Sequence, residues 1–285
     1  MASNSACKTA AEESRVTALR RAYLKRGYRK VGGWLFPYSA RFIDGLLDLQ
    51  LEADVRGAVG EIGVHHGKLF ILLALGRRPD EAAFAIDVFG DQHLNADDSG
   101  AGDRGIFLAN TRRWLAAETG RLDVLQRSSL EVRPEDILER SGPVRMASID
   151  GGHTEECVIN DLMLVQSVLA PKGVAILDDH FNEFWPEVSS GVARYLLDPS
   201  ARLRPFAITP NKTYFAAAED VGFYRRSLRS RNDYYYEKSA RLLDSELDIF
   251  GTQPWTFSMK KRAIEWIKAT PAGPYARALR RRLAR

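Results

Sequence analysis

Cysteine and long hydrophobic runs are both scarce in this 285-residue chain. The cysteines are Cys7 and Cys157, too few for a disulfide framework and without a paired spacing that would bind zinc. The longest clear apolar run, residues 69–75, is far shorter than the ~20 residues that a membrane-spanning helix needs. The N-terminal string MASNSACKTAAEESR contains no apolar signal segment. We therefore expect a cytoplasmic protein, and we exclude a disulfide-stapled or zinc-ribbon protein.

A large net charge is also absent, since the formal total at pH 7 is only +4. From Val221 to the C-terminus, however, there are 15 Lys or Arg and 6 Asp or Glu residues, against 26 and 31 in the rest. This basic extension is interpreted either as a contact for phosphate-rich surfaces or as a solvated helical face. In the first case its last arginines would give a weak contact with an anionic membrane, at the membrane periphery. These residues are Arg277, Arg280, Arg281, Arg282 and Arg285.

Short β-type runs alternate with helix-type stretches between residues 56 and 217, the pattern of βα units over a mainly parallel sheet. Strands are predicted over residues 57–62, 83–87, 124–126, 145–150, 174–178, 203–208 and 212–217. A turn at Thr209, Pro210 and Asn211 makes the last two strands antiparallel. Helices are predicted over residues 68–75 and 154–169 from their hydrophobic spacing and end signals. The predicted fold class is α/β, with a doubly wound sheet of seven strands.

Three regions follow from this pattern. Residues 1–50 are predicted as an N-terminal helical segment, with one basic amphipathic helix over 8–30 and another helix over 37–49. Residues 51–220 form the predicted α/β domain, and residues 221–285 form a basic, helical C-terminal extension. The Gly- and Asp-rich stretch 91–105 is too long for a bare connection between a strand and a helix, which favours a functional lid or binding loop.

The end of the first predicted strand is typical of a turn that binds a nucleotide-like ligand. The string VGEIGVHHGKLF places Glu61, Gly63 and Gly67 directly before a helix, where glycines let the backbone approach a ligand at the mouth of the sheet. Asp87 ends the second strand, where its carboxylate can accept hydrogen bonds from both ribose hydroxyls of an adenosine group. The alternative is that the glycines serve only a tight turn and that Asp87 is a capping residue.

A second group of polar residues follows the later strands. Asp150 ends one predicted strand, with His153 three residues later, and Asp178 and Asp179 end the next. Because the carboxyl ends of parallel strands share one edge, these carboxylates should converge beside Gly63. Oxygen ligands without cysteine favour Mg²⁺ or Mn²⁺, and a neighbouring imidazole could complete the coordination sphere or act as a base. The alternative is a set of capping residues and a hydrogen-bonded loop histidine.

On these residues the chain resembles the class I S-adenosylmethionine-dependent methyltransferases. The strings EIGVHHGK, AIDVFG, SIDGGHTEECVINDL and LAPKGVAILDDH resemble the branch that contains the macrocin-type sugar O-methyltransferases. The resemblance implies a seven-stranded sheet with an antiparallel last strand, and S-adenosylmethionine over Gly63 and Asp87. It also implies a divalent metal at Asp150, Asp178 and Asp179, with His153 as the base. From the common ligand edge we further predict that the adenine lies near Arg127 and Ser128, which follow the third strand.

The expected reaction is methyl transfer to a hydroxyl of a sugar or a glycosylated small molecule. Such a hydroxyl is a poor nucleophile, so the reaction needs deprotonation and alignment, which a metal and a base can supply together. The leading alternative is an RNA or other nucleic-acid methyltransferase that uses the basic extension with its aromatics Tyr234, Tyr235, Tyr236, Trp255 and Trp266. No recognised RNA-binding module is present and the net charge is modest, which makes a nucleic-acid partner the weaker interpretation. A non-catalytic accessory protein is a further alternative, for which the intact Gly63, Asp87 and Asp150 offer no support. A homo-oligomer is left open.

Overall fold

A sheet of nine strands forms the centre of the computed structural model, which describes residues 15–115 and 121–251. In chain order the strands are β1 (Ala58–Ile62), β2 (Ala83–Asp87), β3 (Leu122–Gln126), β4 (Val144–Ile149), β5 (Leu169–Asp178), β6 (Leu203–Thr209), β7 (Lys212–Ala217), β8 (Tyr236–Leu242) and β9 (Ser245–Phe250). Their order across the sheet is β3-β2-β1-β4-β5-β7-β6-β9-β8. The first five strands are parallel, and β7 is antiparallel to both β5 and β6.

From residue 37 onward, seven α-helices of the described part of the chain cover the two faces of this sheet. They are α1 (Pro37–Glu52), α2 (Lys68–Leu75), α3 (Arg104–Leu115), α4 (Pro134–Ser141), α5 (Glu155–Val168), α6 (Pro186–Leu197) and α7 (Val221–Arg231). Before α1, residues 15–22 are α-helical and continue as the π-turn Tyr23–Gly27 and the 3-10 turn Tyr28–Lys30. The predicted helices at the N-terminus are therefore confirmed from residue 15 onward, while residues 8–14 lie outside the described residues.

The core has two layers because side chains alternate along each buried strand. In β5, Val174 and Ile176 belong to the layer that packs on α1, α2, α3 and α7, whereas Ala175 and Leu177 belong to the layer on α4, α5 and α6. Helices on both faces explain why β1 and β4 are buried along their whole length. The prediction of a doubly wound α/β fold is confirmed. Among the described residues, no helix is both long and apolar enough to cross a membrane.

The sheet departs from the prediction beyond β7. Residues 236–250 were expected to be helical or loop-like, but they form the hairpin β8–β9, and β9 pairs in parallel with β6. The sheet therefore has nine strands rather than seven. The carboxylate of Asp248 is fully buried and accepts hydrogen bonds from Arg229 Nη2 at 2.7 Å and Arg225 Nη2 at 3.2 Å. Basic residues of α7, which suggested a solvated helical face, are thus partly used to hold this hairpin.

A buried arginine joins the sheet to its helices at the edge opposite the strand carboxyl ends. Arg145 in β4 has no exposed surface, and its Nε donates to Glu81 at 3.0 Å while Nη1 donates to Gln50 of α1 at 2.9 Å. Its Nη2 donates to the carbonyl oxygen of Gly76, which follows α2, at 2.8 Å. Every nitrogen of the guanidinium therefore has an acceptor, which is the condition for keeping a charge in the core.

Replacing this guanidinium by an apolar side chain of similar length should strongly destabilise the folded protein. Because Arg145→Met leaves buried acceptors without their donor, we expect a loss of about 3–5 kcal/mol in the free energy of unfolding, measured by urea denaturation. Arg56→Met is the control, since Arg56 is 58% exposed and its ion pair with Asp54 lies at the surface, so the change should stay within about 0.5 kcal/mol. Equal losses in the two variants would contradict a structural role for Arg145.

Candidate functional site

A cavity of about 910 Å³ opens at the carboxyl ends of the parallel strands. Loops after β1, β2, β3, β4 and β5 contribute to its wall. The predicted site residues that line it are Gly63, Asp87, Arg127, Ser128, Asp150, His153, Asp178 and Asp179. The predicted residues Glu61 and Gly67 lie outside this lining. A volume in this range is typical of a small-molecule site, and its position matches the ligand edge of an open α/β sheet.

Gly63 lies where the loops after β1 and β4 meet. Its φ is +78°, and a Cβ built on it would lie 1.7 Å from the carbonyl oxygen of Asp150. The Asp150 amide in turn donates to the carbonyl oxygen of Ile62 at 2.8 Å. Glycine is therefore required at position 63 both for its backbone conformation and for the close approach of the two loops. Gly67 has a φ of +88° and precedes α2, so it serves the turn into that helix.

Asp87 organises the loops on the cofactor side of the cavity. One of its carboxylate oxygens accepts from the amide of His65 at 2.7 Å and the other accepts from the amide of Phe89 at 2.6 Å. Burial raises the pKa of Asp87 although these amides oppose the shift. The capping role that the sequence left open is thus present, and the residue also faces the cavity together with Arg127 and Ser128.

Asp150, His153 and Asp179 come together at the floor of the cavity. One potential ligand atom from each of the three lies within 4.8 Å of the others. Nε2 of His153 is 3.3 Å from Oδ2 of Asp179. Removal from water, and next the charge of Asp178, raise the pKa of Asp150 well above its ordinary value. A carboxylate that is difficult to ionise alone is stabilised by a nearby cation, so this group is chemically suited to a divalent metal.

Asp178 has a different partner from its two predicted co-ligands. Its Oδ2 accepts from Nζ of the buried Lys212 at 2.5 Å, and its Oδ1 accepts from Nδ2 of Asn211 at 2.8 Å. Burial alone would lower the pKa of Lys212, but the charges of Asp178 and Asp150 outweigh it and raise the value. Burial raises the pKa of the adjacent Glu61 to about 8. Lys212 thus already offsets part of the repulsion that the sequence assigned to a metal, and Asp178 lies outside the three-residue group.

His153 is held from both sides of its ring. Its backbone amide donates to Oδ2 of Asp97 at 2.5 Å, and its Nδ1 lies 2.7 Å from the same oxygen. The indole of Trp185 stacks on the imidazole with ring centroids 4.3 Å apart and an interplanar angle of 16°. Burial lowers the pKa of His153, but hydrogen bonding to Asp179 and Asp97 outweighs burial and raises it.

The other histidines near this edge have different surroundings. His180 is buried, its Nδ1 is 2.9 Å from Oγ1 of Thr213, and burial lowers its pKa to about 4. His65 and His66 stack on each other in the turn after β1, with centroids 3.9 Å apart. His65 lines the cavity, and its φ is +49°. His153 is thus the histidine that the structure places beside the carboxylates.

Sequence reasoning missed Asp97, Trp185 and Lys212. Asp97 belongs to the stretch 91–105 that was predicted as a binding loop, but nothing in the sequence distinguished it from Asp91, Asp98 or Asp103. Trp185 precedes α6, and Lys212 begins a strand that was correctly predicted. The several acidic side chains at the sheet edge indicate that a cation lies among them. From the sequence, that cation was assigned to a metal ion, and the ammonium group of Lys212 was not considered.

Exposed aromatic side chains surround the cavity mouth. Trp34 and Phe184 are each 78% exposed, and Phe36 and Phe181 are 55% and 60% exposed. All four contribute to the cavity lining and are here called the aromatic rim. Such a group of exposed aromatics next to a cavity is unusual on a protein surface and marks a binding region. The rim supplies apolar contact area above a polar floor.

Comparison with known proteins agrees with this geometry. Residues 61–180 match a family model described as a methyltransferase domain. This match runs from the last two residues of β1 to the two residues after β5 and so includes the cavity floor. A search of curated protein sequences finds no match.

Solved structures that are similar to this chain include O-methyltransferases. The O-methyltransferase NovP has a TM-score of 0.52 and 16% identity, over 63% of this chain and 80% of its own. CalS11, a TDP-rhamnose 3'-O-methyltransferase of calicheamicin biosynthesis, has a TM-score of 0.49 and 18% identity, over 71% and 91%. An O-methyltransferase from Bacillus cereus in complex with SAH has a TM-score of 0.49 and 15% identity, over 73% and 90%. At these identities the likeness to NovP establishes the class I methyltransferase fold.

The contact between Gly63 and Asp150 can be tested with a pair of glycine substitutions. Gly63→Ala should lower the free energy of unfolding by about 2–5 kcal/mol, because it combines a strained left-handed residue with overpacking against a backbone oxygen. The matched control is Gly45→Ala in α1, where an added Cβ meets nothing within 4 Å, and which should be neutral or stabilising by up to ~1 kcal/mol. Thermal unfolding of the two variants measures the difference. A wild-type midpoint for Gly63→Ala would contradict the close approach.

Proposed function

Since the chain carries a methyltransferase domain on the class I methyltransferase fold, we propose that it transfers a methyl group from S-adenosylmethionine to a hydroxyl of a sugar or a glycosylated small molecule. The observation that carries this proposal is the convergence of Asp150, His153 and Asp179 on the floor of a cavity that also contains Gly63 and Asp87. Gly63 and Asp87, proposed to bind the cofactor, and the histidine proposed as the base therefore line the same cavity.

The cavity residues fit S-adenosylmethionine. Gly63 leaves the backbone open to a ligand, and Asp87 lines the cavity with spare lone pairs on both of its carboxylate oxygens. Asp87 would hold the ribose, Arg127 and Ser128 would lie near the adenine, and the turn from Glu61 to Gly67 would lie near the carboxypropyl end. When bound, S-adenosylmethionine supplies the methyl group, whose bond to sulfur breaks as the acceptor oxygen binds the methyl carbon.

The same floor fits a divalent cation such as Mg²⁺ or Mn²⁺. Asp150 and Asp179 offer the oxygen donors that these ions prefer. Burial and the charge of Asp178 raise the pKa of Asp150, so a nearby cation would favour its ionised form. Asp178 would coordinate the cation through the oxygen that does not accept from Lys212, or would remain outside the coordination sphere. A bound cation would lower the pKa of an acceptor hydroxyl and orient it.

His153 is the proposed general base. It would accept the hydroxyl proton at Nε2, the ring nitrogen that faces Asp179 and the cavity floor. The stacked Trp185 restricts rotation of the ring and shields one of its faces from water. This scheme needs no serine or cysteine nucleophile, because the acceptor oxygen itself attacks the methyl group.

The cavity lining favours a neutral acceptor over a nucleic acid. Among the described residues, the lining contains six carboxylates and one arginine, Arg127. The acids are Asp87, Asp98, Asp150, Asp178, Asp179 and Glu183. A phosphate backbone would be repelled by this charge, since nucleic-acid binding depends on Lys and Arg contacts. The aromatic rim would pack against the apolar parts of a glycosylated acceptor. The basic tail after Pro274 and the aromatics Trp255 and Trp266 lie outside the described residues.

Loss of the Asp87 carboxylate should weaken binding of S-adenosylhomocysteine, the product, by roughly 10- to 100-fold, because hydrogen bonds to a charged group are worth about 1.5–3 kcal/mol. Isothermal titration calorimetry on Asp87→Asn measures this change. The control is Asp80→Asn, at the other end of β2, where the side chain is 72% exposed. Unchanged affinity in Asp87→Asn would remove Asp87 from the cofactor site.

Chelation should separate metal-dependent turnover from cofactor binding. With EDTA we expect transfer to stop and to return on addition of excess Mg²⁺, while S-adenosylhomocysteine affinity changes less than twofold, because the cofactor residues are distinct from the metal group. Asp150→Asn and Asp179→Asn should lose metal affinity and activity together. Full transfer in EDTA would disprove the metal part and leave His153 as the proposed base.

The acceptor class is tested by incubation with methyl-labelled S-adenosylmethionine, Mg²⁺ and a panel of free sugars, glycosides and RNA. Label in a sugar or glycoside hydroxyl supports the proposal, with His153→Ala as the control that should lower the rate by ~100-fold or more. Label in RNA alone would replace it with the nucleic-acid alternative.

A further inference from the structure

We propose that Asp97 is a positioning residue that fixes the tautomer and orientation of His153, and that it does so from the loop between β2 and α3. This inference rests on the proposed function for its catalytic consequence, but the contact itself belongs to the structure. The backbone amide of His153 donates to Oδ2 of Asp97 at 2.5 Å, and Nδ1 of His153 lies 2.7 Å from the same oxygen. Two donors from one residue converging on one oxygen define the ring position closely.

The chemistry of the partner determines which ring nitrogen carries the proton. An ionised carboxylate only accepts hydrogen bonds, so the ring nitrogen at 2.7 Å must be a donor. Both oxygens of Asp97 accept from backbone N–H groups, Oδ2 from the amide of His153 and Oδ1 from the amide of Ser99, and hydrogen bonds of this kind favour the ionised form. A neutral His153 then carries its proton on Nδ1 and presents an unprotonated Nε2 to the cavity floor. The competing contact of Nε2 with Asp179 is longer, at 3.3 Å.

The loop that carries Asp97 is built to hold this carboxylate in place. Oδ1 of Asp97 accepts from the amide of Ser99 at 2.9 Å, and Oγ of Ser99 lies 3.2 Å from Nδ1 of His153. Nδ2 of Asn95 donates to the carbonyl oxygen of Ser99 at 2.5 Å and to Oε1 of Gln92 at 3.0 Å, which closes the loop on itself. Asp91 at the start of the loop accepts from Nε2 of Gln126, the last residue of β3, at 2.9 Å.

The imidazole is therefore fixed by two elements that are distant in the chain. Asp97 acts on its edge from the loop after β2, and Trp185 stacks on its face from the start of α6. Because the same loop lines the cavity, an arrangement of the loop that withdraws Asp97 would also release the ring of His153. The loop between β2 and α3 therefore orients His153 whenever it packs against the cavity.

The test compares Asp97→Asn with Asp103→Asn, two substitutions in the same loop with the same change in charge. The Asp103 side chain is exposed and lies outside the cavity lining, so its variant is the matched control. An asparagine at position 97 can present its NH₂ to Nδ1, which would move the proton of the neutral ring to Nε2. Long-range ¹H–¹⁵N NMR of metal-free protein, at a pH where the ring is neutral, reports the tautomer. The chain has five histidines, and a His153→Gln spectrum identifies the signals of His153.

We expect the proton on Nδ1 in the wild type and in Asp103→Asn, and on Nε2 in Asp97→Asn. Turnover of Asp97→Asn should fall by ~10²- to 10⁴-fold, the range for loss of a base and of its correct tautomer, with KM and S-adenosylhomocysteine affinity within twofold of the wild type. A merely structural role would lower the thermal midpoint and affinity instead.

An Nδ1-protonated ring in Asp97→Ala, which leaves Nδ1 without the side-chain acceptor at position 97, would overturn the proposal, and so would a changed tautomer in Asp97→Asn with unchanged turnover. If the wild type methylates no acceptor, the methyl-transfer proposal fails, whereas the NMR comparison still decides whether Asp97 fixes the ring. Asp97→Glu provides the rescue variant: recovery of the Nδ1 tautomer should restore turnover to within ~10-fold of the wild type, and an Nδ1 tautomer without recovery of turnover would count against the role.

Discussion

The ion pair between Lys212 and Asp178 is the constraint on which the cavity floor depends. These residues are direct partners in the antiparallel pairing of β5 with β7, and cross-strand partners have Cβ atoms only about 5 Å apart. Because β7 runs antiparallel to β5, the ammonium group of Lys212 lies opposite the carboxyl end of β5. Without this cation, Glu61, Asp150 and Asp178 would be three acids with little access to water. Part of the charge at the floor is therefore balanced by the fold itself, and the rest is available to a ligand.

The rule that parallel strands end at one edge predicted much of this site from the sequence. It correctly brought Gly63, Asp87, Asp150, His153 and the Asp178–Asp179 pair to one cavity. It could not predict Lys212, because that contact requires the register of β5 against β7, and strand order is not encoded in local periodicity. It could not select Asp97 either, since a loop of several acids has no repeating pattern that would indicate which one turns inward.

The β8–β9 hairpin was missed for a different reason. The surplus of basic residues over 221–285 suggested a basic helical extension. The short alternation of polar and apolar residues in the string SELDIF, which indicates a strand, was overlooked. In the structure Leu247 and Phe250 are buried in that strand, and Asp248 is buried because Arg225 and Arg229 compensate for its charge. Binary patterning over six residues is a weak signal beside a surplus of arginine, and tertiary pairing decided the outcome.

Pairing of β9 with β6 changes which backbone groups are left exposed at the margin of the sheet. Had the sheet stopped at β6, a strand with buried Leu203, Phe206 and Ala207 would present its free N–H and C=O groups to other chains, which is a template for aggregation. Among the described residues the margin is instead β8, where exposed Lys238 and Arg241 disfavour the approach of a second strand. Residues 236–250 therefore protect the protein in solution, and the α/β domain cannot be separated from them at residue 220 without uncovering that strand.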